Sequence, residues 1–389
     1  MRMIHIRRTI FLALFIAGGV PCSLVGTLHA QSMQAGTIDP AEQESKIASL
    51  NSTQDKPDYS HEPYVFERFF TQAAFQKDGT SRDDLQVVVN VLSEAGVQRF
   101  GQLVFAYNSS NQKLEVISVE IRKAGSSSFT SASAVRDVAP LGSGGAPAYS
   151  DYREKRITVP GLRPGDTVAY HIARATTIPL APEQFWFEHD FVKDAIVLDE
   201  QLEISVPRNR AIKLKTGLGA APVISDEGER RIYRWKRSHL TRDAEAAEKN
   251  KRAPESQVPA VQITTFENWR EVGGCYAPLV RERAIPDANV RAKAEELTHG
   301  RGTELEKIEA LYDFVATKVR TINVPFSLGG YVAHAASETL TNEYGDPNDK
   351  HVLLEALLEA AGIRAFPALI SSGRDLDPEF ASPGEFNHL

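Results

Sequence analysis

The chain has 389 residues, 42% of them hydrophobic and 24% charged, with a formal net charge of −7. That length holds about two domains at the usual ~100–200 residues each, and the composition is that of a packed globular protein. The negative balance excludes a general attraction to nucleic acid or to anionic lipid surfaces.

Residues 1–30 read as a Sec-type export signal: Arg2, Arg7 and Arg8 precede a short apolar core, Ile10 to Ala17, and Ala30 stands at the expected cleavage point before Gln31. Gly18, Gly19 and Pro21 interrupt the apolar run well short of the ~20 residues a spanning helix needs. The mature chain is therefore expected to be periplasmic or extracellular, with no transmembrane helix. It retains one cysteine, Cys275, so it must hold itself together by its core and without an internal disulfide. A lone cysteine in Val272-Gly273-Gly274-Cys275-Tyr276 reads as a small packed residue. No Cys-x-x-Cys pair, His-x-x-x-His or acidic calcium loop occurs in the sequence, so neither a metal nor a cofactor is predicted.

Residues 31–60 are polar, with isolated apolar positions, and read as a disordered spacer. Short strands follow. Tyr64 to Phe75 leads into Lys77-Asp78-Gly79-Thr80, a tight-turn signal, and Leu85 to Leu92 is the return strand. Further strands are predicted at Leu114–Ile121, Arg156–Val159, Val168–Ala173, Phe185–Phe191, Leu198–Val206 and Ile232–Trp235. Frequent turns, among them Pro160-Gly161-Leu162-Arg163-Pro164-Gly165-Asp166, make this an antiparallel β-sandwich over 61–240. Residues 241–260 are charged and Ala-rich and read as a solvated linker.

From Asn268 the periodicity becomes helical. Asp287 to His299 is one helix, stopped by Gly300. Thr303-Glu304-Leu305-Glu306 is a capping box, after which Ile308, Leu311, Tyr312, Val315 and Val319 are predicted to line one face. Ala335 to Leu340 is a shorter helix. Asp346 suits an N-cap, Pro347 the first helical position and Asp349 the reciprocal cap, ahead of an apolar stripe through Leu353, Leu354, Leu357 and Leu358 that Gly362 ends. Phe366 to Ile370 reads as a strand.

Two stretches resemble known families. The strings Val91-Leu92-Ser93-Glu94-Ala95-Gly96-Val97, Phe100-Gly101-Gln102, Tyr107-Asn108, Tyr149-Ser150-Asp151, Val159 to Asp166 and Leu198-Asp199-Glu200-Gln201-Leu202 resemble DUF3857, a domain that precedes transglutaminase-like cores in exported bacterial proteins. The string Tyr344-Gly345-Asp346-Pro347-Asn348-Asp349-Lys350 resembles the nucleophile motif of the transglutaminase-like superfamily, which reads Tyr-Gly-Asp-Cys-Lys-Asp-Lys in the nearest bacterial branch. The two resemblances imply a mixed fold, a β-sandwich followed over 261–389 by an incomplete papain/transglutaminase-like α+β core.

The second resemblance also implies a mechanism: a cysteine at a helix N-terminus attacks an acyl carbonyl, a histidine serves as base and an acid orients it. Here the cysteine's place holds Pro347, which has no nucleophilic atom, and Asn348 replaces the usual lysine. The histidine position matches His388, and the acid would follow beyond Leu389. The resulting expectation is an exported, catalytically inactive homologue with a binding role toward a protein or peptide, and no active catalytic residue. The alternative is an active cysteine peptidase or protein-glutamine acyltransferase that uses Cys275 with His388. A third reading makes the sandwich the binding part, through exposed aromatics such as Trp186 or Trp235.

Overall fold

Alternation of apolar and polar residues gives the first half of the chain its strands. A computed structural model describes residues 58–126, 130–131, 135–139, 151–217, 221–241, 258–322, 332–371 and 375–386. The expected export signal, all but the end of the spacer, and most of the charged linker therefore lie outside the described residues, as does His388. The strands are β1 (Tyr64–Phe75), β2 (Ser81–Val91), β3 (Gln102–Asn108), β4 (Gln112–Arg122), β5 (Thr130–Ser131), β6 (Val135–Val138), β7 (Tyr152–Thr158), β8 (Thr167–Thr176), β9 (Trp186–His189), β10 (Ile196–Pro207), β11 (Lys213–Thr216), β12 (Val223–Glu227), β13 (Arg230–His239) and β14 (Val261–Thr264). A short helix, α1 (Glu94–Phe100), separates β2 from β3 and is capped by Ser93, which accepts from the Gly96 amide.

One eight-stranded sheet, ordered β12-β13-β10-β1-β2-β8-β4-β5, is the floor of this half. The β1–β2 hairpin turns at Asp78-Gly79. Gly79 has φ +89, a left-handed conformation that glycine adopts without a Cβ penalty. The sheet departs from the expected antiparallel pattern at one seam, where β1 and β10 run parallel, Val65 opposite Ile196 through Ala74 opposite Ser205. A parallel neighbour needs a long connection, and here the whole stretch from β2 to β9 supplies it.

Register puts Phe66, Phe69, Ala73 and Phe75 on the same face as Val87, Val89, Val168, Ile172, Leu202, Ile204 and Trp235. Two small sheets cover that face, β3-β7-β6 and β11-β14-β9. The first closes a core around Val87, Val89, Leu103, Ile157 and Val168. The second closes another around Phe75, Leu202, Ile204, Trp235 and Ile263. The sandwich thus has one continuous layer and one split layer. Val261–Thr264, on the far side of the expected linker, is the middle strand of the second cover, so the β-rich half reaches past residue 260.

The helical half begins with α2 (Trp269–Arg283), N-capped by Asn268, and continues through α3 (Ala288–Thr298), α4 (Glu304–Thr317), α5 (Ala336–Asn342) and α6 (Pro347–Ala360). Its core gathers Tyr276, Val280, Val290, Leu311, Val315, Val352, Leu353, Ala356 and Leu357. Leu311, Leu353 and Leu357 are fully buried, each worth roughly 1.5–3 kcal/mol. Tyr312, expected on the inward face of α4, is 57% exposed, because it is adjacent to buried Leu311 and the helix turns it outward by one position.

The strand expected at Phe366–Ile370 is not formed. Ile363, Ala365 and Leu369 pack against the helical core while Arg364, Phe366, Ala368 and Ile370 face outward, so the segment has a strand's alternation. Among the described residues it has no ladder of partners, and Ile370 alone makes an isolated bridge. Beyond it, residues 375–386 return to the β-rich half: Lys215 Nζ pairs with Asp377 Oδ2 at 2.7 Å, Lys213 Nζ donates to the Glu379 carbonyl at 2.8 Å and Thr264 Oγ1 donates to the Ala381 carbonyl at 2.8 Å. Residues Tyr59–Leu389 form one compact unit. No helix among the described residues is long and apolar enough to cross a membrane.

Candidate functional site

The start of α6 is held from three sides. Asp346 is its N-cap: Asp346 Oδ1 accepts from the Asp349 amide at 2.9 Å, and Asp349 Oδ2 accepts from the Asp346 amide at 3.1 Å, a complete capping box. Asp349 Oδ1 accepts from the His334 amide at 2.7 Å and lies 3.1 Å from His334 Nδ1, which ties the approach to α5 to the same carboxylate. On the other flank, β15 (Arg320–Thr321) pairs in parallel with β16 (Tyr344–Gly345), and Lys350 Nζ donates to the Val319 carbonyl at 2.8 Å and to Thr321 Oγ1 at 3.0 Å.

Gly345 is required by this closeness: a Cβ there would stand 2.7 Å from the Asp349 Cβ. Pro347 occupies the first helical turn, exposed. At that position its missing N–H costs no hydrogen bond and its ring matches the helical φ.

Both box carboxylates are buried, Asp346 at 4% and Asp349 at 1% exposure. Burial pushes the Asp349 carboxyl up to about 6, against the opposing pull of the His334 and Asp346 amides. Asp346 is also raised by burial, with its amide bonds to Asp349 and Asn348 and the His334 charge working the other way. Further along α6, His351 Nε2 stands 3.3 Å from Glu355 Oε2. Burial lowers the imidazole and raises the carboxyl, with Glu359 raising it further, so both are held toward their neutral forms.

Beside this helix lies an apolar recess. Leu180, Ala181 and Trp186 of the β-rich half meet Val272, Cys275, Tyr276 and Leu279 of α2 there, with Phe266, Leu369 and Pro383 completing the wall. Tyr276 joins the two places. It lines the recess and packs in the core with α6, and its phenol is kept protonated by burial and by the nearby charges of Glu355 and Asp346.

Of the predicted positions, Pro347 is where the resemblance puts the nucleophile, at the start of α6, and His388 lies outside the described residues. Cys275 is half-buried in the recess wall, packed with Ala181, Phe266 and Val272. Burial and then the Glu271 charge raise its thiol, the reverse of what activates a nucleophilic cysteine. Trp235 is buried in the sandwich core and Trp186 half-buried in the recess. The recess itself was not legible in the sequence, because its walls come from positions between Leu180 and Pro383 that only the fold brings together. Among the described residues, no group of three or more His, Cys, Asp or Glu side chains could hold a metal ion.

Comparison with known proteins places a DUF3857 domain, a domain of unknown function, at residues 77–243. No curated protein matches the chain. Among solved structures, a candidate protease from Parabacteroides distasonis superposes with a TM-score of 0.63 at 19% identity, covering 78% of this chain and 59% of that one. The likeness is one of fold, and the chain spans less than two thirds of that protein's length. An M1 zinc metallopeptidase from Deinococcus radiodurans (TM-score 0.27, 12% identity, 52% of this chain and 42% of that one) and a candidate nutrient-binding protein from Legionella pneumophila (TM-score 0.28, 11% identity, 77% and 94%) are too distant in structure to inform the fold.

Proposed function

We propose that this chain is an exported, non-catalytic binding protein: a DUF3857-type sandwich joined to a transglutaminase-like helical core whose nucleophile position has been given up. The observation that carries this reading is Pro347. The α6 start keeps its buried capping box, its close glycine and its flanking two-stranded sheet, while the residue that would attack a carbonyl is a pyrrolidine ring. Proline at the first helical position leaves the helix intact, so the scaffold persists without the chemistry.

Cys275 does not replace the lost group, since its thiol is half-buried against apolar side chains and raised rather than lowered. The apolar recess between α2 and the β-rich half offers a concave apolar surface on which a protein or peptide ligand could be held.

The test has two arms. Purified full chain is assayed for peptide hydrolysis and for amine incorporation into glutamine donors, with and without iodoacetamide. No thiol-dependent turnover is expected. Turnover that iodoacetamide and Cys275→Ser both abolish would overturn the reading in favour of a cysteine enzyme. In the second arm, an array of apolar peptides is probed with the full chain and with Leu369→Glu. Peptide capture lost in the variant supports the recess as the binding surface, and capture unchanged in the variant places the ligand elsewhere.

A further inference from the structure

The β-rich half buries one carboxyl group in an unusual place. Glu200 is 1% exposed on the inner face of β10, in line with Leu202, Ile204 and Val206. It sits at a register irregularity, because the pairing of β10 with β13 shifts between Val197 and Glu200. The same residue marks the boundary between the two cores: Val197 belongs to the one under β3-β7-β6 and Leu202 to the one under β11-β14-β9.

The connection from β9 to β10 crosses that boundary too. Phe191 packs in the second core, and Val192 and Ala195 pack in the first. Glu200 Oε1 accepts from the Val192 amide at 2.8 Å, so the buried carboxyl holds the connection where it passes from one core to the other.

The charges around Glu200 are few. Its cross-strand neighbour on β13 is Arg237, whose guanidinium lies 4.8 Å over the Phe191 ring and is exposed. On the connection itself, Asp190 and Lys193 pair with each other at 3.7 Å, and Asp194 follows. His189 on β9 packs edge-on against Phe191, and His239 on β13 lies opposite Val197. From β1 the neighbour is Phe69, which is uncharged. On β10 and β13, Asp199 and Lys236 occupy the alternate positions on the sheet's other face. No cation stands within ion-pair distance of Glu200 among the described residues, and one amide is its observed donor.

We propose that Glu200 is a proton-operated latch on the 190–195 connection: the neutral carboxyl keeps the connection seated across the two cores, and ionisation releases it. Burial supports the direction, pushing the Glu200 carboxyl up to about 7, with the Val192 amide and Arg237 opposing. A released connection exposes the carboxyl and restores its ordinary value of 4.5. The release equilibrium therefore rises about tenfold per pH unit between those values and levels off above the upper one.

Hydrogen exchange of the full chain at pH 5, 6, 7 and 8, corrected for intrinsic rates, tests this on the peptide spanning 190–202. Its protection should fall about tenfold per unit from pH 5 to 7, then level off. Glu200→Gln, which mimics the neutral carboxyl and keeps the acceptor for Val192, should make protection independent of pH. Arg237→Gln removes the nearest opposing charge and should move the levelling-off to higher pH. A flat profile in the native chain, or the same slope in Glu200→Gln, would overturn the proposal. Were Glu200→Gln to fold poorly, an unmoved profile in Arg237→Gln would do so.

Discussion

The capping box at the start of α6 makes a prediction of unusual sign. Asp349 is 1% exposed, and its carboxyl is pushed from 3.8 up to about 6. A carboxyl whose folded value is raised binds its proton more tightly in the fold than in the unfolded chain. Its contribution to stability is full below about pH 4 and is lost as pH rises to about 6, a swing of about 3 kcal/mol. Asp349→Asn abolishes that swing. It also replaces one acceptor oxygen by an amide that cannot accept, leaving either the Asp346 or the His334 N–H without its partner. That loss costs about 1–3 kcal/mol.

At pH 4.5, where about 1 kcal/mol of the swing is already lost, the variant should be less stable than the parent by up to about 2 kcal/mol, and at pH 7.5 equal to it or more stable by up to about 2 kcal/mol. Urea unfolding of both full chains at the two pH values, followed by circular dichroism, measures the difference. Because Asp346, Glu200 and Glu355 also titrate, the quantity to compare is variant minus parent, which cancels them unless they couple to Asp349. An equal destabilisation at both pH values would refute the buried-carboxyl argument and leave Asp349 a simple cap.

Other outcomes follow from the same physical grounds. His189 is held neutral by burial, its value pushed down to about 4, so the fold loses about 3 kcal/mol as pH falls from 6.5 toward 4; in a thermal melt at pH 4.5, His189→Phe should gain on the parent relative to pH 7.5. Gly345→Ala puts a Cβ at 2.7 Å from the Asp349 Cβ and 3.1 Å from the Thr339 Cγ2, and should cost about 1–3 kcal/mol in the urea midpoint. Leu357→Ala empties a fully buried site in the helical core and should cost about 2–5 kcal/mol, whereas Leu305→Ala, at a residue 62% exposed, should stay within about 0.5 kcal/mol; equal costs would mean the core is misplaced.

Local signals proved reliable where local physics decides. The Asp78-Gly79 turn needs only the left-handed φ that glycine allows, and both capping boxes, Thr303 with Glu306 and Asp346 with Asp349, close over three residues. Elsewhere tertiary contacts decided the outcome. α2 follows the helical periodicity that begins at Asn268, and it runs unbroken through Gly273, Gly274 and an internal Pro278 because Val272, Tyr276 and Val280 bury one face. Phe366 to Ile370 has strand composition and even strand alternation, but a strand requires a partner's backbone, which sequence cannot supply. Glu200 was visible in principle: it continues the alternate positions of Leu202, Ile204 and Val206, which marks it as inward-facing.

By itself the sequence determined the division into a strand-rich half and a helical half, the turn and cap positions, and the proline at the start of α6. Each follows from periodicity or from the geometry of a few adjacent residues. Tertiary structure alone decided the split second layer of the sandwich, the parallel seam between β1 and β10, the recess around Cys275, and the burial of Asp349 and Glu200. Those depend on which distant segments share a face. A carboxyl's affinity for its proton, and a cysteine's reactivity, are set by what those segments exclude.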